Sequence, residues 1–432
     1  MSSTPPKSIP ARIFGVMSGF GLATILLLIL MLLTWLATLE IAVSGLHQTL
    51  GKYFHYSKLY VLPDAAVFSE KLVDQDKYLP PLPGGFWVCA LLVLNLTLGG
   101  IIRMRKGVRT IGVLIAHFGI IFMIIAGGVA QLKEERGVMM MSETGIEGLP
   151  SVSDYAQNQI DTTVEVLEVK DGKATNVHFV EDRYYKDLEA DKQRIIRIPS
   201  LPFDLELTRY LQNCKPMAGT SMAPGKGEPV VDGWFLLERD ANKDSELDTP
   251  GIHARALMRD GAKGETFLLT VPDPMEYTGI AAPPRPPFTL RVGDRTFAIR
   301  MEKQVWAVPF KLRLMDARTE YYPHTTKPKF YESDVMRIEE GRESKVFVEM
   351  NAPMRFGGWT AYQHTMPPSI TDAKGDAIVS GFEIVRNPSD QWPKYAIFIA
   401  GFGLVLHFMM KLVNFASRGA KPPRSNPTPT QD

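Results

Sequence analysis

The stretch Gly112–Gly128 reads GVLIAHFGIIFMIIAGG and carries one ionisable side chain, His117, among apolar and small residues. It belongs to the nearly charge-free segment 110–132, which can span a bilayer because a hydrocarbon core of about 30 Å requires roughly 20 helical residues. An ionisable side chain at this depth costs on the order of 2–3 kcal/mol unless it has a partner. His117 therefore predicts either an interhelical hydrogen bond or a bound ligand, and the residue alone does not decide between them.

Three further segments of the 432-residue chain are almost free of charge. We predict four membrane-spanning helices, at about 13–39, 84–102, 110–132 and 395–415. The fourth is long enough if the Lys411 ammonium group reaches the headgroups while the helix continues. The apolar core of the first segment is about twice as long as that of a cleaved signal peptide, which favours a retained anchor.

The basic residues of the short flanking segments indicate the orientation of these helices. Residues 1–12, 103–109 and 411–432 carry ten Lys and Arg residues and a single acidic residue. Positive charge in short loops marks the cytoplasmic side. We therefore expect an integral cytoplasmic (inner) membrane protein with both termini in the cytoplasm. The loop 40–83 and the segment 133–394 would lie on the outer, periplasmic side.

The segment 133–394 has the alternation of apolar and polar residues that is typical of β-strands. Period-two patterns occur in TVEVLEV, FDLELTRYL, FTLRV and KVFVEM, and turn-forming sequences such as KDGK lie between strand patterns. Helical periodicity is scarce, so we predict a large extracytoplasmic all-β, sandwich-like domain between the third and fourth helices. The chain would then comprise a three-helix membrane region at 1–132, this β domain, the fourth helix and a Pro-rich cytoplasmic tail at 416–432.

The sequence disfavours several classes of function. Cys89 and Cys214 form no CxxC or CxxCH motif, which argues against a thioredoxin-like site and against covalent haem attachment to this chain. No GxSxG, HExxH, phosphate-binding glycine loop or dinucleotide fingerprint is present, so we predict no catalytic residue. No basic cluster is interleaved with aromatic residues, so no nucleic-acid partner is expected. The cytoplasmic pieces are too short for the output domain of a signalling receptor.

His117 is the first candidate for binding a cofactor. Haem iron accepts a neutral imidazole as an axial ligand, and the small neighbours Gly112, Ala116 and Gly119 would leave room for a flat macrocycle beside the ring. The same small residues also permit plain helix packing. The pattern is therefore compatible with a haem ligand without being specific for one.

Three other histidines are weaker candidates for cofactor binding. His407 lies close to the cytoplasmic end of the fourth predicted helix, where snorkelling toward the headgroups explains an ionisable residue. His47 and His55 lie in HQTLGKYFHYSKLY, just beyond the first predicted helix. Aromatic residues concentrate at membrane interfaces, and this explains the composition of that stretch without any ligand.

The segment 330–363, FYESDVMRIEEGRESKVFVEMNAPMRFGGWTAYQ, is the most distinctive part of the chain. Together with four spans, a short basic turn between the second and third, and a histidine followed by Phe-Gly early in the third, it resembles the ResB/CcsB family of system II cytochrome c biogenesis proteins. The residues that carry the resemblance form a structural signature: Tyr331, Ser333, Asn351, Pro353, Gly358, Tyr362 and Gln363. The resemblance covers the membrane plan and roughly residues 300–415.

The resemblance implies a function that depends on a partner. ResB-like proteins work with a second membrane protein, CcsA or ResC, which carries a tryptophan-rich WWD segment. Together they move haem across the membrane and attach it to CxxCH cysteines of apocytochrome c. This chain has six scattered tryptophans and no such segment, so it is similar to the ResB half alone. By its context, the family's membrane histidine corresponds to His117, which implies haem b held transiently between this ring and a ring of the partner.

We therefore expect a ResB-like subunit of a cytochrome c synthase complex that helps to bind or deliver haem. Its expected partners are a CcsA/ResC-like protein, apocytochrome c and proteins of a thiol-reducing pathway. A non-catalytic subunit would supply position rather than acid or base, and no metal other than haem iron is expected. A β domain could present an extended apocytochrome segment by strand addition. Two alternatives are an assembly scaffold in which His117 only packs, and an envelope accessory protein unrelated to haem.

Overall fold

The chain divides into two compact units in the computed structural model. The helical unit comprises residues 1–134 and 387–432, and the strand unit comprises Glu135–Arg386. Four helices are long and apolar enough to cross a membrane, and a large β-rich domain lies between the third and fourth of them in the chain, which confirms the predicted fold class. The structure describes residues 8–64, 68, 79–146, 149–189, 191–225, 229–259, 263–272, 287–325, 328–365 and 378–419.

Six α-helices make up most of the described part of the helical unit. They are α1 (Ile9–Met17), α2 (Phe20–Ser44), α3 (Leu46–Phe54), α4 (Gly85–Asn95), α5 (Ile111–Lys133) and α6 (Trp392–Gly419). A π-helical turn, Leu96–Ile102, continues α4, and a 3-10 turn, Val108–Thr110, precedes α5. The candidate spans are Phe20–Ser44, Gly85–Ile102, Val108–Lys133 and Trp392–Ser417. The predicted tail 416–432 lies outside the described residues from position 420 onward.

The first predicted span, 13–39, differs from the observed helices because the helix breaks at Ser18–Gly19, between α1 and α2. The side-chain amide of Asn95 is enclosed in the helical unit and donates to the backbone oxygens of Met17 at 2.7 Å and Gly19 at 3.0 Å. A bilayer offers no water to backbone groups released by a helix break. Asn95 therefore supplies the missing hydrogen bonds from the second span.

The predicted loop 40–83 contains a helix, α3, and a short two-stranded pairing of β1 (Tyr60–Val61) with β2 (Leu82–Pro83). Glu40, near the end of α2, is buried and accepts hydrogen bonds from Lys52 Nζ at 2.5 Å and from the Tyr53 hydroxyl at 2.8 Å. A buried carboxylate without partners would be strongly destabilising. The two bonds satisfy it and fix α3 against α2.

The start of α6 is anchored to the end of α5. Ser389 is 1% exposed, and its hydroxyl donates to the backbone oxygen of Ala126 at 2.8 Å. The side-chain amide of Asn387 donates to Glu134 Oε2 at 2.9 Å. Both bonds join the segment before α6 to the last turns of α5, so the two helices are held together at this end.

The strand unit contains sixteen strands in its described residues, and the pairings between them are antiparallel. They are β3 (Glu135–Ser142), β4 (Val152–Lys170), β5 (Lys173–Glu181), β6 (Gln193–Ile196), β7 (Phe203–Leu211), β8 (Cys214–Ala218), β9 (Trp234–Glu238), β10 (Gly251–Met258), β11 (Lys263–Thr270), β12 (Phe288–Val292), β13 (Arg295–Tyr321), β14 (Pro328–Glu339), β15 (Arg342–Glu349), β16 (Met354–Phe356), β17 (Trp359–Thr365) and β18 (Val379–Arg386).

The strand unit has two large hydrophobic cores, and the long strands β4 and β13 contribute residues to both of them. A four-stranded sheet in the order β11-β10-β7-β6 packs on the part of the large sheet formed by β12, β13, β4 and β5. The apolar residues of alternate positions, such as Phe203, Ile252 and Phe297, fill that first core. The remainder of the large sheet, in the order β15-β14-β13-β4-β3-β18-β17-β16, encloses a second core that includes Leu312 and Phe382.

A buried lysine, Lys303 of β13, lies where the register between β13 and β4 shifts. Its ammonium group donates to the backbone oxygens of Gln159 at 2.7 Å and Asp248 at 3.4 Å. The side chain is enclosed, and this burial lowers the pKa of Lys303 to about 8 against the opposing attraction of the Asp248 charge. The charged form of Lys303 is therefore disfavoured in the folded state.

The buried Lys303 predicts a rise of stability with pH. Because its folded-state pKa of about 8 lies below the ordinary 10.5, the unfolded chain binds more protons between these values, so the free energy of unfolding increases with pH. We expect a gain of about 2–3 kcal/mol between pH 8 and 10, which Lys303→Met abolishes. Denaturation of the full-length protein followed by near-UV circular dichroism measures it.

The control is Lys170→Met, at the exposed end of β4. This variant should keep the pH dependence of the wild type. Equal slopes for the wild type and Lys303→Met between pH 8 and 10 would contradict the assignment of the effect to Lys303.

Candidate functional site

His117 lies on α5 in the third candidate span and is partly buried. Its Nδ1 atom is enclosed by the protein and has no hydrogen-bond partner among the described residues. The second ring nitrogen, Nε2, is not among the enclosed nitrogens that lack a partner. The sequence left open an interhelical hydrogen bond or a bound ligand for His117. A hydrogen bond through Nδ1 is not observed in the described part of the chain.

The His117 ring packs against the second span at Gly100. A Cβ atom placed on Gly100 would lie 3.1 Å from Cγ, 3.2 Å from Cδ2 and 3.3 Å from Nδ1 of the ring. Gly100 belongs to the π-helical turn that ends the second span. Such turns occur frequently at functional sites. The ring is thus held between its own helix and a backbone surface that carries no side chain.

The small residues Gly112 and Gly119 of α5 pack closely against α6. A Cβ on Gly112 would lie 2.6 Å from the backbone nitrogen of His407, and one on Gly119 would lie 2.6 Å from that of Ala400. Close backbone approach through small residues is a common mode of helix packing in membranes. This face of α5 is filled by α6, so the close contacts at these two positions are those of helix packing.

His407 lies on α6 opposite Gly112. Like His117, it is partly buried, and its Nδ1 atom is enclosed without a hydrogen-bond partner in the described residues. Its ring lies 6.0 Å from that of Phe408, centroid to centroid. The backbone of His407 makes a close contact with α5 at Gly112.

His47 and His55 lie at the two ends of the α3 region and are not brought together with His117. His47 is exposed on α3. His55 follows α3; its Nδ1 lies 2.7 Å from the hydroxyl of Ser57, and its ring lies 4.3 Å from that of Tyr56. These contacts satisfy His55 locally, in keeping with the aromatic interface expected for this stretch.

Part of the signature in the strand unit forms a buried polar cluster in the second core. The hydroxyls of Ser333 and Ser380 lie 2.8 Å apart, and the side-chain amide of Gln363 donates to Ser380 at 2.8 Å. All three residues are buried. Buried polar groups that bond one another specify how the strands around them must pair. Ser333 and Gln363 therefore act here in the packing of β14, β17 and β18.

The other signature residues lie in turns and at strand surfaces. Gly357 and Gly358 form the two-residue loop between β16 and β17 with φ of 56° and 82°, and a loop with positive φ at both positions favours glycine. Asn351 and Pro353 lie in the connection between β15 and β16.

Two signature tyrosines contact neighbouring residues of the strand unit. The Tyr331 hydroxyl donates to the backbone oxygen of His364 at 3.4 Å. The guanidinium carbon of Arg355 lies 6.0 Å from the centroid of the Tyr362 ring. These contacts join strands within one unit, so both tyrosines have a structural role in the observed fold.

Sequence reasoning missed Gly100, which contacts the His117 ring, and Asn95, which lies earlier in the same span. Gly100 has no local pattern that marks it, because a glycine in an apolar run is common and its contact is with a helix distant in sequence. The enclosed Asn95 did carry a signal, since a polar side chain within a span requires a partner.

The helical unit and the inserted strand unit define the class as an integral membrane protein with a β-rich domain between its third and fourth candidate spans. Residues 288–376, from β12 beyond β17, match the family model described as ResB-like family, which confirms the resemblance to the ResB/CcsB family. The family supports a role in cytochrome c biogenesis in the broad sense and implies a membrane partner in that process. No curated protein matches the chain.

The close approach of α5 and α6 predicts that Gly112 cannot be enlarged. In Gly112→Ala the new methyl group would lie 2.6 Å from the His407 nitrogen and 2.7 Å from the Gly403 oxygen, so the helices must separate. We expect a loss of about 1–3 kcal/mol of stability, measured as a lower melting temperature of the full-length protein in detergent.

Gly127→Ala is the matched control, because a Cβ there meets nothing within 4 Å and alanine is the better helix former. Its melting temperature should equal or exceed that of the wild type. If both variants melt at the same temperature, the close contact does not exist in the folded protein.

Proposed function

We propose that the chain is the ResB-like subunit of a system II cytochrome c synthase complex and that His117 provides an axial ligand to haem b during its transfer. The observation that supports this most directly is the imidazole of His117. It lies in a candidate membrane span, and its Nδ1 atom is enclosed without a hydrogen-bond partner in the described residues.

A haem ligand explains His117 better than a packing role does. An enclosed ionisable group in a span without a partner is costly, and residues of this kind are usually functional. Haem iron takes a neutral imidazole as an axial ligand, and bound haem would supply the vinyl groups that form thioether bonds with CxxCH cysteines. For its part, this chain would bind and orient the group through His117, since no catalytic residue is needed for that task.

The filled face of α5 supports a site that is completed by another subunit. Because α6 occupies the space next to Gly112 and Gly119, a macrocycle cannot lie between α5 and α6 within this chain. We propose that a haem bound by His117 is held largely by a second membrane protein. A CcsA/ResC-like protein with its own histidines and tryptophan-rich segment fits this requirement, and apocytochrome c and thiol-reducing proteins would be the further partners.

The distribution of basic residues supports a location in the cytoplasmic membrane with both termini in the cytoplasm. The segment between the second and third spans carries Arg103, Arg105, Lys106 and Arg109. With this orientation the strand unit lies on the periplasmic side, where cytochromes c receive their haem.

The haem proposal predicts a loss of haem on removal of the His117 ring. The full-length chain is co-expressed with a CcsA/ResC-like partner, and the complex is purified and its absorbance spectrum recorded. His117→Ala should weaken haem retention roughly tenfold or more, and added imidazole should restore both haem content and the wild-type Soret band. Restoration is expected because free imidazole can occupy the space left by the ring.

His407→Ala is the matched control, because His407 also lies in a span with an enclosed Nδ1 atom. It should keep its haem. A His117→Ala complex that retains full haem with an unchanged spectrum would leave the scaffold as the better account of this chain.

The proposed orientation predicts which side of the membrane each segment faces. Single cysteines are placed at Lys173, exposed in the strand unit, and at Arg105, exposed between the second and third spans, after Cys89 and Cys214 are changed to Ser. A maleimide that cannot cross membranes should label Lys173→Cys in intact spheroplasts and Arg105→Cys only after lysis. The reverse pattern would refute the orientation.

A further inference from the structure

Gly100 of the second span lies against the His117 ring. Three ring atoms lie 3.1–3.3 Å from the position of a Cβ on Gly100. This separation is shorter than ordinary van der Waals contact between carbon atoms, which is about 3.5–4.0 Å. A methyl group at position 100 and the ring in its present place are therefore mutually exclusive, unless the ring shifts by a few tenths of an ångström.

The backbone conformation of Gly100 does not by itself call for glycine. Gly100 is not among the residues with positive φ, so an alanine could adopt its backbone angles. Glycine is also a poorer helix former than alanine. What the position gains from glycine is space, and the ring of His117 occupies that space.

The turn that carries Gly100 is fixed on its other side. A Cβ on Gly99 would lie 2.6 Å from the backbone oxygen of Ser18, so the turn packs closely on the helix break. Arg103 Nη1 donates to the Ser18 hydroxyl at 3.1 Å, and Asn95 bonds the backbone on both sides of the break. These bonds hold the turn at both ends, so we expect the ring rather than the turn to move when a larger residue is placed at position 100.

We propose that Gly100 is a positioning residue for His117: its missing side chain forms the surface against which the imidazole lies, and this contact sets the direction in which Nε2 faces. The importance of this positioning for haem ligation rests on the proposed function. The contact between Gly100 and the ring is independent of that function, because it is a property of the helical unit alone. A ligand must be held within about 0.5 Å of its productive place, so even a small displacement of the ring matters.

A double-mutant cycle tests the contact without haem. Wild type, Gly100→Ala, His117→Ala and the double variant are melted as full-length proteins in detergent. Gly100→Ala should lower the melting temperature when His117 is present. In the His117→Ala background it should leave the melting temperature unchanged or raise it, because the obstructing ring is gone and alanine favours the helix.

The sign of the change in melting temperature caused by Gly100→Ala in each background shows whether the His117 ring is responsible. Gly127→Ala, which meets nothing within 4 Å, should behave alike in both backgrounds. If Gly100→Ala lowers the melting temperature equally with and without the His117 ring, its effect does not pass through the ring and the inference is overturned. Gly100→Leu extends the series and should show a larger coupling of the same sign.

Haem spectra then test the positioning role. In complex with the CcsA/ResC-like partner, Gly100→Ala should lower haem content and shift the Soret band toward that of His117→Ala. Added imidazole should restore at least as much haem to the double variant as it restores to the Gly100→Ala variant. If His117→Ala keeps its haem, the proposed function fails, while the melting cycle still decides the contact. If His117→Ala loses haem and Gly100→Ala does not, the ring tolerates the methyl group and the positioning role is refuted.

Discussion

The helical unit depends on one constraint, which is that a bilayer core contains no water to bond a polar group. Most polar groups of the spans meet this constraint with a partner inside the protein. Asn95 bonds the backbone at the helix break, and Ser389 bonds the backbone of α5. Glu40, near the end of α2, bonds residues of α3. Against this background the enclosed nitrogens of His117 and His407, which lack such partners in the described residues, stand out.

The two histidines differ in what surrounds them, and this difference separates their roles. His407 contacts α5 through its backbone, so the contact with Gly112 would persist with another side chain at position 407. His117 contacts the second span through its ring, and the chain keeps a glycine where the ring lies. The contact at position 117 therefore involves the side chain, whereas the contact of position 407 with Gly112 involves the backbone.

The architecture followed from local patterns, whereas the site depends on contacts between distant segments. Apolar length predicted the four spans, and period-two alternation predicted the strands, because each is a property of neighbouring residues. The helix break at Ser18–Gly19 was missed because the apolar run continues across it, although a Ser-Gly pair is a known place for a kink. Gly112 and Gly119 were compatible with either a macrocycle or a helix, and only the position of α6 decides. The contact of Gly100 with His117 has no sequence signal, since it joins two spans.

The sequence signature lies in the strand unit and concerns the fold, whereas the candidate ligand lies in the helical unit and concerns the proposed chemistry. Ser333 and Gln363 are buried in the second core, where Ser380 joins them, and the positive φ of Gly358 explains the glycine in its turn. The contacts of these residues in this chain are structural, so the signature supports the fold and not the chemistry. The proposed haem ligand, His117, lies in the helical unit. A chain that kept the signature but lost His117 would therefore still fold as a family member while losing the proposed function.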